Sequence, residues 1–215
     1  MAKSTSNLAS AIPVIDARDV ADSAPDRDRA LATLRDAAGR WGFFQLIGHG
    51  IPEVERRDLF RAQADFFALP EAEKLALSRC ADNPRGYNPG EFTKNRRDAK
   101  EILDFGHKPD PDAADDAAVN RTPDGWNRFP DPDRLPGFAP AVWNWYRRCE
   151  TLSSLLLRAF AESLSRPAAE LEDRFGAEHT SFLRMNRYPP QPDPAPADAA
   201  DLPESGRLGI HHHTD

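Results

Sequence analysis

Ser181-Phe182-Leu183-Arg184-Met185-Asn186-Arg187-Tyr188 alternates apolar and polar side chains and then stops at Pro189-Pro190. Alternation with a period of two marks a β-strand, and proline ends it because it cannot donate to a ladder. Downstream, residues 189–203 are mostly Pro, Ala and Asp and read as a flexible loop. Arg207-Leu208-Gly209-Ile210 is strand-like and runs into His211-His212-His213-Thr214-Asp215. Strands therefore dominate from residue 181 onward, and the sequence before it is rich in helix.

Upstream, Phe138, Val142, Trp145, Cys149, Leu152, Leu156, Phe160 and Leu164 step by three or four residues, a single apolar stripe on a long helix. Ser165-Arg166-Pro167 closes that helix and opens a short one ending near Phe175. Residues 109–137 read as an ordered acidic surface loop in which Trp126 and Phe129 need burial. Glu101–Gly106 reads as a strand, and residues 82–98 as a loop with two prolines and two glycines. Helices are expected from Pro52, carrying Leu59, Gln63, Phe66 and Phe67, and after Pro70, carrying Leu75 and Leu77. Gly42–Ile47 reads as a buried strand. An earlier helix is expected from a capping Ser23, burying Leu31, Leu34, Ala38 and Trp41. Ile12–Asp16 reads as a short first strand. No internal repeat is visible.

A chain of 215 residues suffices for one domain that buries roughly 70% of its unfolded surface. Lys+Arg 28 against Asp+Glu 35 gives a net charge of -7 without a basic stripe, which excludes a nucleic-acid partner. The longest apolar runs, such as Leu155-Leu156-Leu157, fall far short of the roughly 20 residues of a membrane span. The N-terminus has no apolar region of signal-peptide type. Cys80 and Cys149 make no disulfide framework, so a soluble chain in the reduced cytoplasm is expected.

In an extended strand, residues i and i+2 share a face, roughly 6.6 Å apart. His213 and Asp215 would then offer one imidazole and one carboxylate to one side, two thirds of the 2-His-1-carboxylate triad that binds non-haem Fe(II). By spacing alone, His-x-Asp recurs by chance. Residues 211–213 read equally as part of a purification tag or as exposed histidines on a frayed end.

The wider pattern resembles a known family. Trp41-Gly42-Phe43-Phe44-Gln45-Leu46 with Gly48-His49-Gly50-Ile51 is similar to the N-terminal signature of the isopenicillin N synthase-like, 2-oxoglutarate- and Fe(II)-dependent oxygenases. In the same order follow Phe66-Phe67-Ala68-Leu69-Pro70 with Glu73-Lys74, Arg85-Gly86-Tyr87, Asp98-Ala99-Lys100-Glu101 with Asp104-Phe105-Gly106, and Asn127-Arg128-Phe129-Pro130. Leu183–Pro190 and Leu208-Gly209-Ile210 leading to His213-Thr214-Asp215 complete the set, so the resemblance spans Ile12 to Asp215.

The resemblance implies an α+β fold, a double-stranded β-helix (jelly roll) core with N-terminal helices. A flexible N-terminus is expected over residues 1–11, a helix-rich N-terminal region over 12–180, and the start of the β-helix core over 181–215. His213 and Asp215 match the first two metal ligands, and Asn186 and Tyr188 match positions that help hold 2-oxoglutarate. The implied cofactors are Fe(II) and 2-oxoglutarate, with O2 as co-substrate, and the implied partner is a small organic molecule that is hydroxylated, desaturated or ring-closed, plausibly in secondary metabolism. The family's second His ligand and Arg-x-Ser pair would follow Asp215, so the second half of the barrel is expected to lie outside this sequence, and activity of the 215 residues alone is not expected. The competing expectation is a catalytically inactive remnant or interaction protein. A makeshift third ligand from His211 is disfavoured, because neighbouring positions on one strand do not wrap one face of an octahedron.

For the other motif residues a structural role is preferred. Trp41, Phe43 and Phe44 are expected in the core, His49 as a hydrogen-bonding turn residue, Lys100 and Glu101 in a structural ion pair, and Cys80 and Cys149 as buried thiols. Tyr87, Arg184 and Arg187 are possible substrate-side residues, and none is chosen.

Overall fold

A computed structural model describes residues 12–93, 96–172, 175–176, 179–190 and 209–210. Expectations for residues 1–11, for the loop after Pro190, and for His211, His213 and Asp215 lie outside these. The chain divides into two compact units, Met1–Glu53 with Trp145–Gly176 and Val54–Asn144 with Ala177–Asp215.

In the first unit, β1 (Val14–Asp16) pairs in parallel with β2 (Gln45–Ile47), Ile15 opposite Leu46, and α1 (Arg27–Arg40) lies between them in sequence. A parallel neighbour requires such a crossover. Ile15, Val20, Leu31, Leu34, Ala37 and Ala159 form the core, with Phe44, Leu46, Leu155 and Phe160 packed against it. Ala159 and Phe160 belong to the long helix α4 (Phe138–Ser163), which begins in the second unit. Arg158 of α4 pairs with Glu172 of the short helix α5 (Ala169–Glu172) at 2.8 Å.

Three details depart from the sequence reading. The first residue capping α1 is Asp26, not Ser23, and it makes no side-chain cap. The buried small residue of α1 is Ala37, one position before Ala38. The strand read over Gly42–Ile47 is only three residues long and is not buried: Phe43 is 54% exposed and Ile47 49%. β2 is half of a two-stranded ribbon, so only one of its faces meets the core. Gly48, which follows β2, adopts φ +62°, and a Cβ there would run into the Asp16 carboxylate. Arg18 grips that carboxylate through Nε at 2.9 Å.

The second unit is built on an antiparallel three-stranded sheet with β6 (Glu101–Gly106) between β3 (Gly86–Asn88) and β7 (Phe182–Arg187). Tyr87 lies opposite Leu103, and Leu103 opposite Met185, so Tyr87, Leu103, Phe105 and Met185 share a face. All four are buried. Their cover comes from α2 (Glu53–Phe67) and the first turns of α4. Phe66 meets Tyr87 at 6.0 Å and Phe138 at 5.6 Å, and Phe105 stacks on Phe129 at 4.7 Å; Phe129 and Trp126, both expected to be buried, are half-buried. Such ring pairs add to the area they bury.

The stretch read as a loop over 82–98 holds three short strands: β3, β4 (Phe92–Thr93) and β5 (Arg96–Arg97). Gly86 starts β3 at φ +116°, and a Cβ there would run into the carbonyl oxygen of Leu77. The short helix after Pro70, α3 (Glu71–Leu75), buries Lys74 instead of Leu75, which is exposed. Gly209 and Ile210 form a bend where a strand was read. No described helix is long and apolar enough to cross a membrane.

Candidate active site

The helix-covered face of the sheet ends in an ion cluster. Glu101 receives Lys74 Nζ at 2.6 Å, Tyr87 Oη at 2.7 Å and Arg187 Nη1 at 2.5 Å. Burial alone would raise the Glu101 carboxyl, but hydrogen bonds from Lys74 and Tyr87, with the Arg187 contact, hold it below the ordinary carboxylate range. Burial and the Glu101 carboxylate push the Tyr87 phenol well up, so it stays protonated and donates. Tyr87 and Arg187 thus serve packing and charge balance on the face turned toward α2.

The opposite face is polar. Ile102 pairs with Asn186 and Asp104 with Arg184, and Lys100 and Tyr188 continue the same alternation one step beyond the ladder. Arg184 binds Asp104 through Nε at 2.8 Å and Nη2 at 3.0 Å, and reaches Glu91 at 2.9 Å. Arg79 also meets Asp104. Lys100 Nζ binds Glu91 at 2.9 Å and approaches Asp98 at 3.6 Å. Burial would lower the Lys100 ammonium, but the Glu91 hydrogen bond and the charges of Glu91 and Asp98 push it above its ordinary value. Among the described residues, three acids, Glu91, Asp98 and Asp104, thus interleave with three bases, Arg79, Lys100 and Arg184.

Lys100 and Glu101 are both in ion pairs, but not with each other. Consecutive strand positions point to opposite faces, so Glu101 joins Lys74 and Arg187 while Lys100 joins Glu91. His49 does what was expected of it, its Nδ1 accepting the Ile51 N–H at 3.1 Å. Of the two thiols, Cys149 is half-buried and pushed up by burial, whereas Cys80 is exposed, because it sits in the turn before β3 and not on an apolar stripe.

Asn186 and Tyr188 lie on this face at i and i+2. Asn186 is half-buried and Tyr188 is 52% exposed. Among the described residues, neither the Asn186 side-chain amide nor the Tyr188 hydroxyl has a hydrogen-bond partner. Gly209 lies against the Tyr188 ring so closely that a Cβ would fall 2.8 Å from Cδ1. An amide and a phenol, both able to donate, beside ion-paired side chains suit an organic dicarboxylate. Residues that sequence reasoning passed over also shape the place: Glu91 lay in the stretch read as loop, and Gln63 was assigned only to an apolar helix face. Gln63 Nε2 donates to the Asn186 carbonyl at 2.8 Å.

The same residues can now be set beside known proteins. Residues 12–131 match the family model described as non-haem dioxygenase in morphine synthesis N-terminal. The chain is 32% identical over 191 residues to the 2-oxoglutarate-dependent dioxygenase gloF of Glarea lozoyensis, covering 83% of this chain and 56% of that protein. It is 27% identical over 212 residues to the 2-oxoglutarate-dependent dioxygenase thnC of Trichoderma harzianum, covering 95% of this chain and 61% of that protein. The chain therefore spans less than two thirds of these relatives' length. In fold it is similar to the crystal structure of a 2OG-Fe(II) oxygenase family protein from Caulobacter crescentus, with a TM-score of 0.69 at 24% identity over 85% of this chain and 58% of that one. A family signature over more than half of the residues, laid on a fold shared with a solved oxygenase, leaves one assignment: this chain belongs to the 2-oxoglutarate/Fe(II)-dependent non-haem dioxygenase family.

Proposed function

We propose that this chain supplies the N-terminal region and the opening strands of the jelly-roll core of a cytoplasmic oxygenase that uses Fe(II), 2-oxoglutarate and O2 to oxidise a small organic molecule of secondary metabolism. The helix-rich region runs over 12–180 and the β-helix core starts at Ser181, its first strand drawing β6 and β3 into one sheet. One observation carries the reading: two side-chain donors, Asn186 and Tyr188, stand on one strand face without a hydrogen-bond partner among the described residues, beside a network of ion pairs.

His213 and Asp215 are the proposed metal ligands, the imidazole neutral and the carboxylate ionised as ligation requires. They follow Gly209 by four and six residues, at most about 14 and about 22 Å of extended chain. Gly209, which precedes both in the sequence, packs on the Tyr188 ring. When bound, Fe(II) and 2-oxoglutarate activate O2 for hydroxylation, desaturation or ring closure.

The chain's own residues bind and orient. The Asn186 amide and the Tyr188 hydroxyl donate to carboxylate oxygens of 2-oxoglutarate. The Arg184–Asp104–Glu91–Lys100 network holds β7 in register.

The test is succinate release from 2-oxoglutarate by the whole protein with Fe(II) and ascorbate. Turnover well above free iron is expected, lost in His213→Ala and in Asp215→Ala, with the KM for 2-oxoglutarate raised about tenfold or more in Asn186→Ala. Succinate release no faster than with free iron would overturn the reading.

A further inference from the structure

β7 is the last strand of the described sheet, bonded to β6 on one side only. In an antiparallel strand, the N–H and C=O of alternate residues point toward the partner, and those of the residues between point away. The Asn186 carbonyl points away from β6 and takes its hydrogen bond from Gln63 Nε2 at 2.8 Å, across 123 residues of sequence. A helix side chain thus stands where a neighbouring strand would donate.

Gln63 has a stiff mount. Its neighbours on α2 include Ala62, Phe66 and Phe67, all buried, and Phe66 is wedged against Tyr87 and Phe138. β7 is held on either side of Asn186 through side chains, by Arg184 on Asp104 and by Arg187 on Glu101. Of these ties, only Gln63 grips the peptide unit of Asn186 itself. Rotation of that peptide about the strand axis would swing the Asn186 amide and, two residues on, the Tyr188 ring.

We infer that Gln63 is a positioning residue for 2-oxoglutarate, fixing through the Asn186 carbonyl the angle at which the Asn186 amide meets the co-substrate. The inference rests on the proposed role of Asn186. Gln63 also borders an open cleft of about 340 Å³ lined by Phe60, Ala64, Phe67, Ala68 and Arg187. A side chain of similar size can therefore be exchanged there without crowding the core.

The experiment uses the whole protein with Gln63→Glu, which turns the donor into an acceptor, Gln63→Met, which removes polarity at similar length, and Asn186→Ala. Calorimetry without O2 reads 2-oxoglutarate binding to the Mn(II)-loaded protein, steady-state kinetics reads KM and kcat, and hydrogen exchange of the metal-free protein reads the β7 amides. Both Gln63 variants are expected to bind 2-oxoglutarate 5- to 20-fold more weakly and to raise its KM in proportion, with kcat and Mn(II) affinity within twofold of the parent. Faster exchange confined to β7 accompanies this. A role in folding alone would lower the melting temperature and leave binding by the folded fraction unchanged, which overturns the inference. If Asn186→Ala weakens binding and neither Gln63 variant does, the positioning role falls and the reading of Asn186 stands. If Asn186→Ala binds normally, both fall.

Discussion

Arg184 and Asp104 face each other across β7 and β6 and are joined twice, Nε to Oδ1 at 2.8 Å and Nη2 to Oδ2 at 3.0 Å. Asp104 is the hub of the pair, since Arg79 meets the same carboxylate. Asp104→Asn leaves two guanidinium groups facing a neutral amide and is expected to cost about 3–5 kcal/mol. Arg184→Lys keeps the charge, loses the fork and costs about 1–2 kcal/mol. Urea unfolding of both variants checks the order, and an equal cost for the two would remove Asp104 from the centre of the network.

Glu101 makes stability depend on pH in a stated direction. Its carboxyl is held below the ordinary 4.5 in the folded chain, against the upward push of burial. The stabilisation is therefore complete above the unfolded value and is lost as pH falls below 4.5 through the folded value. Glu101→Gln is expected to be less stable than the parent at pH 7, with the gap closing as pH is lowered toward 3. Denaturant unfolding at several pH values reads the gap, and a difference independent of pH would contradict the assignment.

Two glycines separate backbone strain from collision. Gly50 has φ +71° and open space where a Cβ would stand, while Gly86 has φ +116° and a backbone carbonyl in the way. Gly50→Ala should cost only the left-handed backbone penalty, about 1–2 kcal/mol. Gly86→Ala adds displacement of the Leu77 carbonyl, which accepts the Tyr87 N–H at 2.9 Å, and is expected to lower the melting point several degrees further. Equal melting points would show that the turn yields freely.

The thiols should differ in reactivity. Cys80 is exposed, and Cys149 is half-buried with its thiol pushed up by burial. A disulfide reagent at pH 8 is expected to modify one thiol of the native chain at least tenfold faster than the other. Peptide mapping should place the fast site at Cys80, and uniform labelling would contradict the burial of Cys149.

The strongly periodic segments could be read directly: β6, β7 and the long helix stand where alternation and the three-four stripe put them, except that Leu164, the last residue of the stripe, lies past the helix end and is exposed. The short strands could not. β3 to β5 sit among prolines and glycines, and β3 exists because β6 pairs with it, information that no local window contains. Asn186 and Tyr188 are singled out by the family resemblance, and strand alternation puts them on one face. The same alternation separates Lys100 from Glu101, which charge complementarity suggests pairing. Gln63 and Glu91 were hidden for a different reason: they reach the site from 123 and 93 residues away.

The pairing of β6 with β7 joins residues as far apart as Glu101 and Arg187, 86 positions along the chain. On a ribosome adding about 5–20 residues per second, β6 waits roughly 4–17 s for its partner strand to be made. Through that interval Leu103 and Phe105 have an incomplete ladder, and Asp104 lacks its forked arginine. β6 is thus a segment of the nascent chain whose sheet is completed only when β7 emerges.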